Sequence, residues 1–217
     1  MVYDIRHPEA IRVKLNQIRI SGFKSISGEN EQCIKLGDVT VLLGANGSGK
    51  SNLVSFFKML NYMTTEALQE YVGKQGVRQL LFYGPKQTES IGFELEFASE
   101  EARDIYEVKL SYGLPDRLYV SGERVLFQKT GKEEPQEYFL VKGGSETGLR
   151  EDIRNTSKVL CRVLSGIRTY QFHDTSDTAK IKDREYVDDA RYLRNNAGNL
   201  AAFLKSLISR RLSPSLP

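Results

Sequence analysis

The sequence predicts an α/β fold in which a glycine-rich turn joins a short apolar strand to an amphipathic helix. Three observations predict it. Val39-Thr40-Val41-Leu42-Leu43 is β-rich and apolar, and it runs straight into Gly44-Ala45-Asn46-Gly47-Ser48-Gly49-Lys50-Ser51. Leu53, Phe56, Phe57, Leu60 and Met63 then fall at helical spacing, which places a helix over about Ser51 to Tyr62. Between Ile91 and Val141 several segments alternate with period two and are separated by turn residues, the pattern of an antiparallel meander.

The turn carries chemistry. Gly44, Gly49, Lys50 and Ser51 fill the G-x-x-x-x-G-K-[ST] pattern of a phosphate-binding loop. Glycines let the backbone approach a ligand closely, successive N–H groups form a concave anion nest, and the helix N-terminus adds positive potential. Residues Gly44, Ala45, Asn46, Gly47, Ser48, Gly49, Lys50, Ser51 and Asn52 are therefore the predicted nucleotide cradle. Lys50 is placed to reach the β- and γ-phosphates, and the Ser51 hydroxyl to sit on Mg²⁺. The expected ligands are ATP and Mg²⁺.

The flanks narrow the class. Leu15 to Ile20 leads into Ser21-Gly22-Phe23-Lys24-Ser25-Ile26, and after a polar stretch comes Gly-Ala-Asn-Gly-Ser-Gly-Lys-Ser-Asn-Leu at Gly44–Leu53. This arrangement resembles the N-terminal end of RecF/SMC-like ABC-type ATPases, including bacterial AAA-family ATPases related to OLD-type nucleases and phage-defence systems. Tyr170-Gln171-Phe172-His173-Asp174-Thr175-Ser176, followed by Tyr192-Leu193-Arg194-Asn195-Asn196-Ala197-Gly198-Asn199-Leu200, is similar to the middle of those proteins. The resemblance implies an ABC-type head with an accessory antiparallel sheet. It also implies ATP hydrolysis, nucleotide-dependent homodimerisation, and action on DNA or a partner nuclease. It sets Phe23, Lys24 and Ser25 beside the base or phosphates, and it gives Gln171 the position of a glutamine that senses Mg²⁺. Phe23 in the core with Lys24 solvated, and Gln171 as a surface residue, are the plainer alternatives.

Taken in order, Ile11 to Ile20 is a predicted strand ending at Ser21-Gly22, and Cys33 to Leu36 a short one. Thr64 or Thr65 is the predicted N-cap of a second helix closed by Gly73 or Gly76. Ile91 to Phe97 turns Glu94 and Glu96 to one face, which reads as a solvated face more readily than as a metal or acid/base pair. Tyr106–Tyr112 and Arg117–Ser121 form a hairpin around Gly113-Leu114-Pro115-Asp116, and Arg124–Gln128 and Tyr138–Val141 continue the meander. Gly143 to Thr147 reads as a linker-like turn, Leu149 to Leu164 as a helix capped by Gly166, and Ile167 to Phe172 as a strand. Asn199 is the expected cap of a last helix with Leu200, Phe203, Leu204, Leu207 and Ile208 on its apolar side. The whole is read as one partial domain over residues 1–217, with strands, loop and helix at 11–63, a helix and meander at 64–147, and a mixed segment at 148–217.

Part of an ATPase is missing from the pattern. No four apolar residues precede an Asp-Glu pair, the acidic strand end that holds the magnesium shell. Asp188-Asp189 follows a segment too polar for a buried strand. Leu164-Ser165-Gly166 imitates the start of an ABC signature, but at the end of a helix rather than its beginning, where anions bind. The expectation is an incomplete head, able to bind nucleotide and slow or unable to hydrolyse it alone. A non-catalytic nucleotide-sensing module is the second reading. A small-molecule kinase is a third, disfavoured by the long meander, and a GTPase lacks Asn-Lys-x-Asp.

Composition sets the outer limits. With 40% hydrophobic and 27% charged residues over 217 positions, the chain reads as globular. A net charge of +3 permits a nucleic-acid partner without arguing for one. Lys180, Lys182, Arg184, Arg191 and Arg194 are interleaved with acids, leaving a weak nucleic-acid footprint at most. Cys33 and Cys161 read as reduced, buried thiols, and His173 as a structural histidine, because no second His or Cys is spaced for a metal. Met1 to Glu9 lacks the apolar run of a signal peptide, and no segment has the length of a membrane span. A cytoplasmic location is the expectation.

Overall fold

Alternating side chains on one long meander, with a helical layer on its apolar face, build most of the molecule. The computed structural model describes residues 13–132, 134–141, 144–170, 179–182, 186, 191–194 and 196–212. The elements run β1 (Lys14–Ser21), β2 (Gln32–Lys35), α1 (Lys50–Thr64), α2 (Leu68–Gln75) and α3 (Val77–Leu80). After them come β3 (Ser90–Ala98), β4 (Ala102–Gly113), β5 (Arg117–Lys129), β6 (Gln136–Val141), α4 (Asn155–Ser165) and α5 (Leu200–Leu212). Two compact units result, Met1–Ile167 and Arg168–Pro217.

In the first unit the described strands form one six-stranded sheet in the order β2-β1-β3-β4-β5-β6, every pair antiparallel. Its inner face carries Ile18 and Ile20 of β1, Phe93 and Leu95 of β3, Val108 and Leu110 of β4, and Leu118 and Val120 of β5, all buried. They share one cluster with Phe56, Met59, Leu60 and Met63 of α1 and with Leu160 and Leu164 of α4. The outer face is polar. Arg19, Glu94, Glu107 and Arg124 stand in register across four strands. The pairs Arg19–Glu94 and Arg124–Glu107 tie them together. Such exposed pairs contribute about 0–1 kcal/mol each and make this a solvated face, as expected for Glu94 and Glu96.

Two bulges account for breaks in the sequence pattern. The inward residues of β1 jump from Leu15 to Ile18, and the register against β3 shifts between Leu15 and Gln17 to bring both onto the core side. In β5 the shift opposite Lys109/Leu110 turns both Val120 and Glu123 inward, so the segments expected as two strands are one continuous strand. The bulge thereby buries a carboxylate. Glu123 accepts hydrogen bonds from Tyr106 Oη at 2.6 Å, from the Gly148 amide at 2.8 Å and from the Thr147 hydroxyl. Burial, reinforced by Glu123, holds the Tyr106 phenol well above its ordinary value. The described part of the expected linker-like turn, residues 144–147, is instead stapled to the core together with Gly148 and Leu149. The Val120 amide donates to the Gly144 carbonyl at 2.8 Å. Glu146 caps α2 by accepting from the Leu68 and Gln69 amides at 2.9 and 3.2 Å. The expected cap residues, Thr64 and Thr65, instead close α1, their hydroxyls donating to the Asn61 carbonyl.

Other expectations need correction. The cysteines are not buried: Cys33 is exposed on the edge strand β2, and Cys161 on α4 is half-buried. Val39–Leu43 is not a strand, and Val39 and Leu43 are 85% and 89% exposed; among the described residues no strand pairs with the segment. The helix expected from Leu149 begins at Asn155, because Asp152 ties down the preceding turn through Arg154 (2.8 Å) and the Ser157 hydroxyl. Residues 167–170 are not a strand, and the rest of that expected strand lies outside the described residues. In the second unit Asn199 precedes α5, but its side chain turns back to the loop. Its Oδ1 accepts from the Arg194 amide at 2.9 Å, and its Nδ2 donates to the Tyr192 carbonyl at 2.7 Å.

Asp104 lies on the inner face of β4, paired in register with Phe97 and Phe127, and its Oδ1 has no partner among the described residues. Burial pushes its carboxyl up to about 6. The folded state therefore keeps a proton that the unfolded chain, titrating at about 3.9, has released. Stability contributed by this group is present below that range and is lost as pH rises toward 6. Urea titrations of wild type and Asp104→Asn at pH 4 and pH 7 should show the variant gaining stability relative to wild type at the higher pH.

Candidate phosphate-binding site

The site is assembled where the end of β1 meets the start of α1. Gly22 has φ 71°, and a Cβ there would lie 2.2 Å from the Ser90 carbonyl oxygen, so glycine is required for the turn to pass β3. The turn closes through the Ile26 amide on the Phe23 carbonyl at 2.8 Å. Phe23 is fully buried and meets Phe56 of α1 edge-on, with ring centroids 5.9 Å apart. That contact lays the following two residues along the first turns of the helix. Lys24 Nζ donates to Ser55 Oγ at 3.1 Å, and Asn52 Nδ2 donates to Ser25 Oγ at 2.5 Å. Burial lowers the Lys24 ammonium from its ordinary value, with Lys58 adding repulsion.

The glycine-rich turn approaches from the other side. The Ser48 amide donates to the Ala45 carbonyl at 3.2 Å, and Gly49, at φ 92°, is the left-handed residue from which α1 starts. No side chain caps α1, and no acidic residue stands in its first turn. The opening amides of the helix are thus available to an anion. The Lys50 ammonium folds into the loop, donating to the Gly44 carbonyl at 2.6 Å, the Ala45 carbonyl at 2.7 Å and Ser48 Oγ at 3.2 Å. The Ser51 side chain faces solvent one residue later.

This structure brings together Lys24, Ser25, Gly49, Lys50, Ser51 and Asn52 at one helix end, with Gly44, Ala45, Asn46, Gly47 and Ser48 forming the loop before it. Gln171, Asp188 and Asp189 lie outside the described residues. Leu164-Ser165 ends α4 and Gly166 follows it, the Gly166 amide donating to the Arg162 carbonyl at 3.1 Å. That places the signature-like triplet at a helix C-terminus. Among the described residues no group of three or more His, Cys, Asp or Glu is placed to hold a metal. The donor set fits a phosphate chain: backbone amides, one ammonium and hydroxyls, with no carboxylate in the first turn. Ser51 would be the ligand to a magnesium ion carried in with it. Sequence reading missed Ser55 as the seat of Lys24. The signal was there in the polar stripe Asn52/Ser55, three residues apart on a helix otherwise dominated by apolar positions.

Comparison with known families decides the class. A family model described as an AAA domain matches residues 17–211. The chain belongs to this AAA-domain family. AAA domains are P-loop NTPase domains that bind ATP with Mg²⁺, and the matched span of this one contains the sheet from within β1 onward, the glycine-rich loop and α1. A search of curated proteins returned no match. Among the described residues no helix is long and apolar enough to cross a membrane.

Gly49 tests the loop directly. A side chain in its left-handed conformation costs roughly 1–2 kcal/mol. Gly49→Ala should therefore lose about that much stability in urea or weaken MgATP by distorting the loop. Gly73→Ala on α2, where a Cβ meets open space, should leave ATP affinity unchanged in the same calorimetric titration.

Proposed function

We propose that this AAA domain is the nucleotide-binding part of a RecF/SMC-like ABC-type ATPase head, related to OLD-type and phage-defence ATPases. It binds MgATP on residues 44–52 and works with DNA or a partner nuclease through nucleotide-dependent dimerisation. One observation carries the reading: an uncapped helix N-terminus whose own lysine is folded back onto the carbonyls of the loop it must share with a phosphate. Lys24 and Ser25, held against the same helix, support the RecF/SMC-like assignment over a generic phosphate loop.

The exposed segment Val39–Leu43 supports the idea that the head is incomplete in this chain. Its composition is that of a buried parallel strand, and leaving it in water forfeits the hydrophobic gain of about 25 cal/mol per Å² of apolar surface. Strands that would cover it, and the acidic residue that would orient the attacking water, come in this reading from outside the described residues. Hydrolysis by this chain alone is then slow, while binding persists. The chain's own residues bind and orient the triphosphate: amides of the loop and Lys50 hold the β- and γ-phosphates, and Ser51 offers its hydroxyl to the magnesium ion. That ion, when bound, neutralises charge developing on the phosphates.

Calorimetry with MgATP and a phosphate-release assay, run on wild type and Lys50→Ala, test the reading. Wild type should bind. Lys50→Ala should bind at least 10-fold more weakly, as expected for removal of a charge-assisted hydrogen bond of about 1.5–3 kcal/mol. Phosphate release by either should stay near background. Failure of wild type to bind MgATP would overturn the proposal, and rapid turnover would overturn the idea of an incomplete head.

A further inference from the structure

At the opposite end of α1 from the glycine-rich loop, the first unit holds a cavity of about 420 Å³. The 15 residues of α1, at about 1.5 Å each, separate the two by roughly 20 Å. Thr64 and Thr65 line the cavity where α1 ends, and α4, packed on the same apolar cluster through Leu160 and Leu164, supplies the facing wall. Lys158, Cys161, Arg162 and Ser165 stand at i, i+3, i+4 and i+7 on α4, so one face of that helix lines the cavity. Arg150 joins them from the segment before α4. Its place in the chain is fixed by Leu149, which is buried and whose amide donates to Thr147 Oγ1 at 3.1 Å.

The cations gathered here have little to offset them. Like charges at i and i+4 repel, and α4 has no acidic residue to balance Lys158 and Arg162. The acid nearest to Lys158 in the chain, Asp152, is committed to Arg154 and to the Ser157 hydroxyl. Glu66 approaches Arg150 at 3.8 Å, an exposed and therefore weak pair that a stronger anion can replace. Arg162 lies in the last turn of α4, where the helix dipole by itself favours a cation. Lys158, a turn earlier, and Arg150, off the helix, have no such local reason to be there. Carbonyls that would repel an anion are already engaged. That of Asn61 accepts from the Thr64 and Thr65 hydroxyls, each at 3.0 Å, and that of Arg162 from the Gly166 amide and the Ser165 hydroxyl, each at 3.1 Å.

We propose that this cavity is a second anion site, which takes a small ligand bearing two or more phosphate charges. The proposal does not depend on the reading of residues 44–52. Arg150, Lys158 and Arg162 less Glu66 leave two positive charges for a ligand to neutralise. The volume falls within the roughly 300–1,000 Å³ usual for small-molecule pockets. Two guanidinium forks can each take a phosphate through paired N–H donors, and the lysine adds a point charge. A nucleic-acid strand is the poorer occupant, because tracking a backbone needs cations spaced along a groove, and these three line one cavity.

The double variant Cys33→Ser/Lys50→Ala weakens the loop as a competing phosphate site and leaves Cys161 as the one thiol. Burial raises the Cys161 thiol above its ordinary value, with Arg150 opposing, so its alkylation is followed at alkaline pH. By calorimetry this variant should bind inorganic pyrophosphate. Saturating pyrophosphate should slow iodoacetamide at Cys161 several-fold, and sodium chloride at equal ionic strength should not. Adding Lys158→Ala or Arg162→Ala should weaken pyrophosphate at least 10-fold and remove the protection, whereas Lys158→Arg should keep both. No binding of pyrophosphate in the double variant would overturn the proposal, as would an affinity that neither alanine substitution moves. Binding that leaves Cys161 alkylation unchanged would place the anion elsewhere and also overturn it. A short DNA duplex that protected Cys161 at lower concentration than pyrophosphate would assign the cavity to nucleic acid and overturn the small ligand. MgATP binding by wild type tests the loop separately, and none of these outcomes alters it.

Discussion

Phe56 is where the sheet takes hold of the phosphate-binding helix. Its ring meets Phe23 from the turn after β1 and Phe93 from β3, with centroids at 5.9 and 5.2 Å, both edge-on. Aromatic contacts of this geometry add about 0.5–1.5 kcal/mol each beyond the area they bury. Their larger effect is positional. Because Phe23 is held against α1, Lys24 and Ser25 have no choice but to run along the first helical turns, and Asn52 and Ser55 are the polar groups waiting there. The apolar side of α1 therefore decides where its polar side stands. A chain with the same glycine-rich loop and a mispacked Phe56 would keep the letters of the site and lose its geometry.

The loop itself is held differently. It has little apolar contact, and its shape depends on Gly49, on the Ser48–Ala45 bond and on an ammonium that satisfies the carbonyls of Gly44 and Ala45. These are polar interactions close to solvent, individually weak and exchangeable for ligand contacts. The contrast suits a binding site: a rigid helix, anchored from below, presents a loop that can trade internal hydrogen bonds for those of a phosphate. Two carboxylates that pin segment 144–149, the buried Glu123 and the half-buried Glu146, show the opposite strategy. Glu123 and Glu146 each bring several donors onto segment 144–149, and such networks stiffen a fold because breaking one member strands the others. Asp104, buried without a described partner, lacks that compensation and titrates accordingly.

The sequence by itself determined the elements whose pattern is local. Period-two alternation placed β3 and most of β4, helical spacing placed α1, and the glycine–lysine–serine loop named its chemistry before any coordinate was known. Gly76 and Gly166 marked helix ends because chain termination is a matter of one or two residues. Only the tertiary structure decided the rest, for one physical reason: the deciding partner is far away in the chain. Glu146 caps a helix 78 residues earlier, so the local candidates Thr64 and Thr65 were misleading. A bulge turned Glu123 inward and merged two expected strands, since a register shift is set by the neighbouring strand. Val39–Leu43 carries strand composition, yet a strand exists only when another pairs with it. The bridge between Phe23 and Leu81, which seats the turn after β1, arises from packing between segments about 60 residues apart, which no local pattern records.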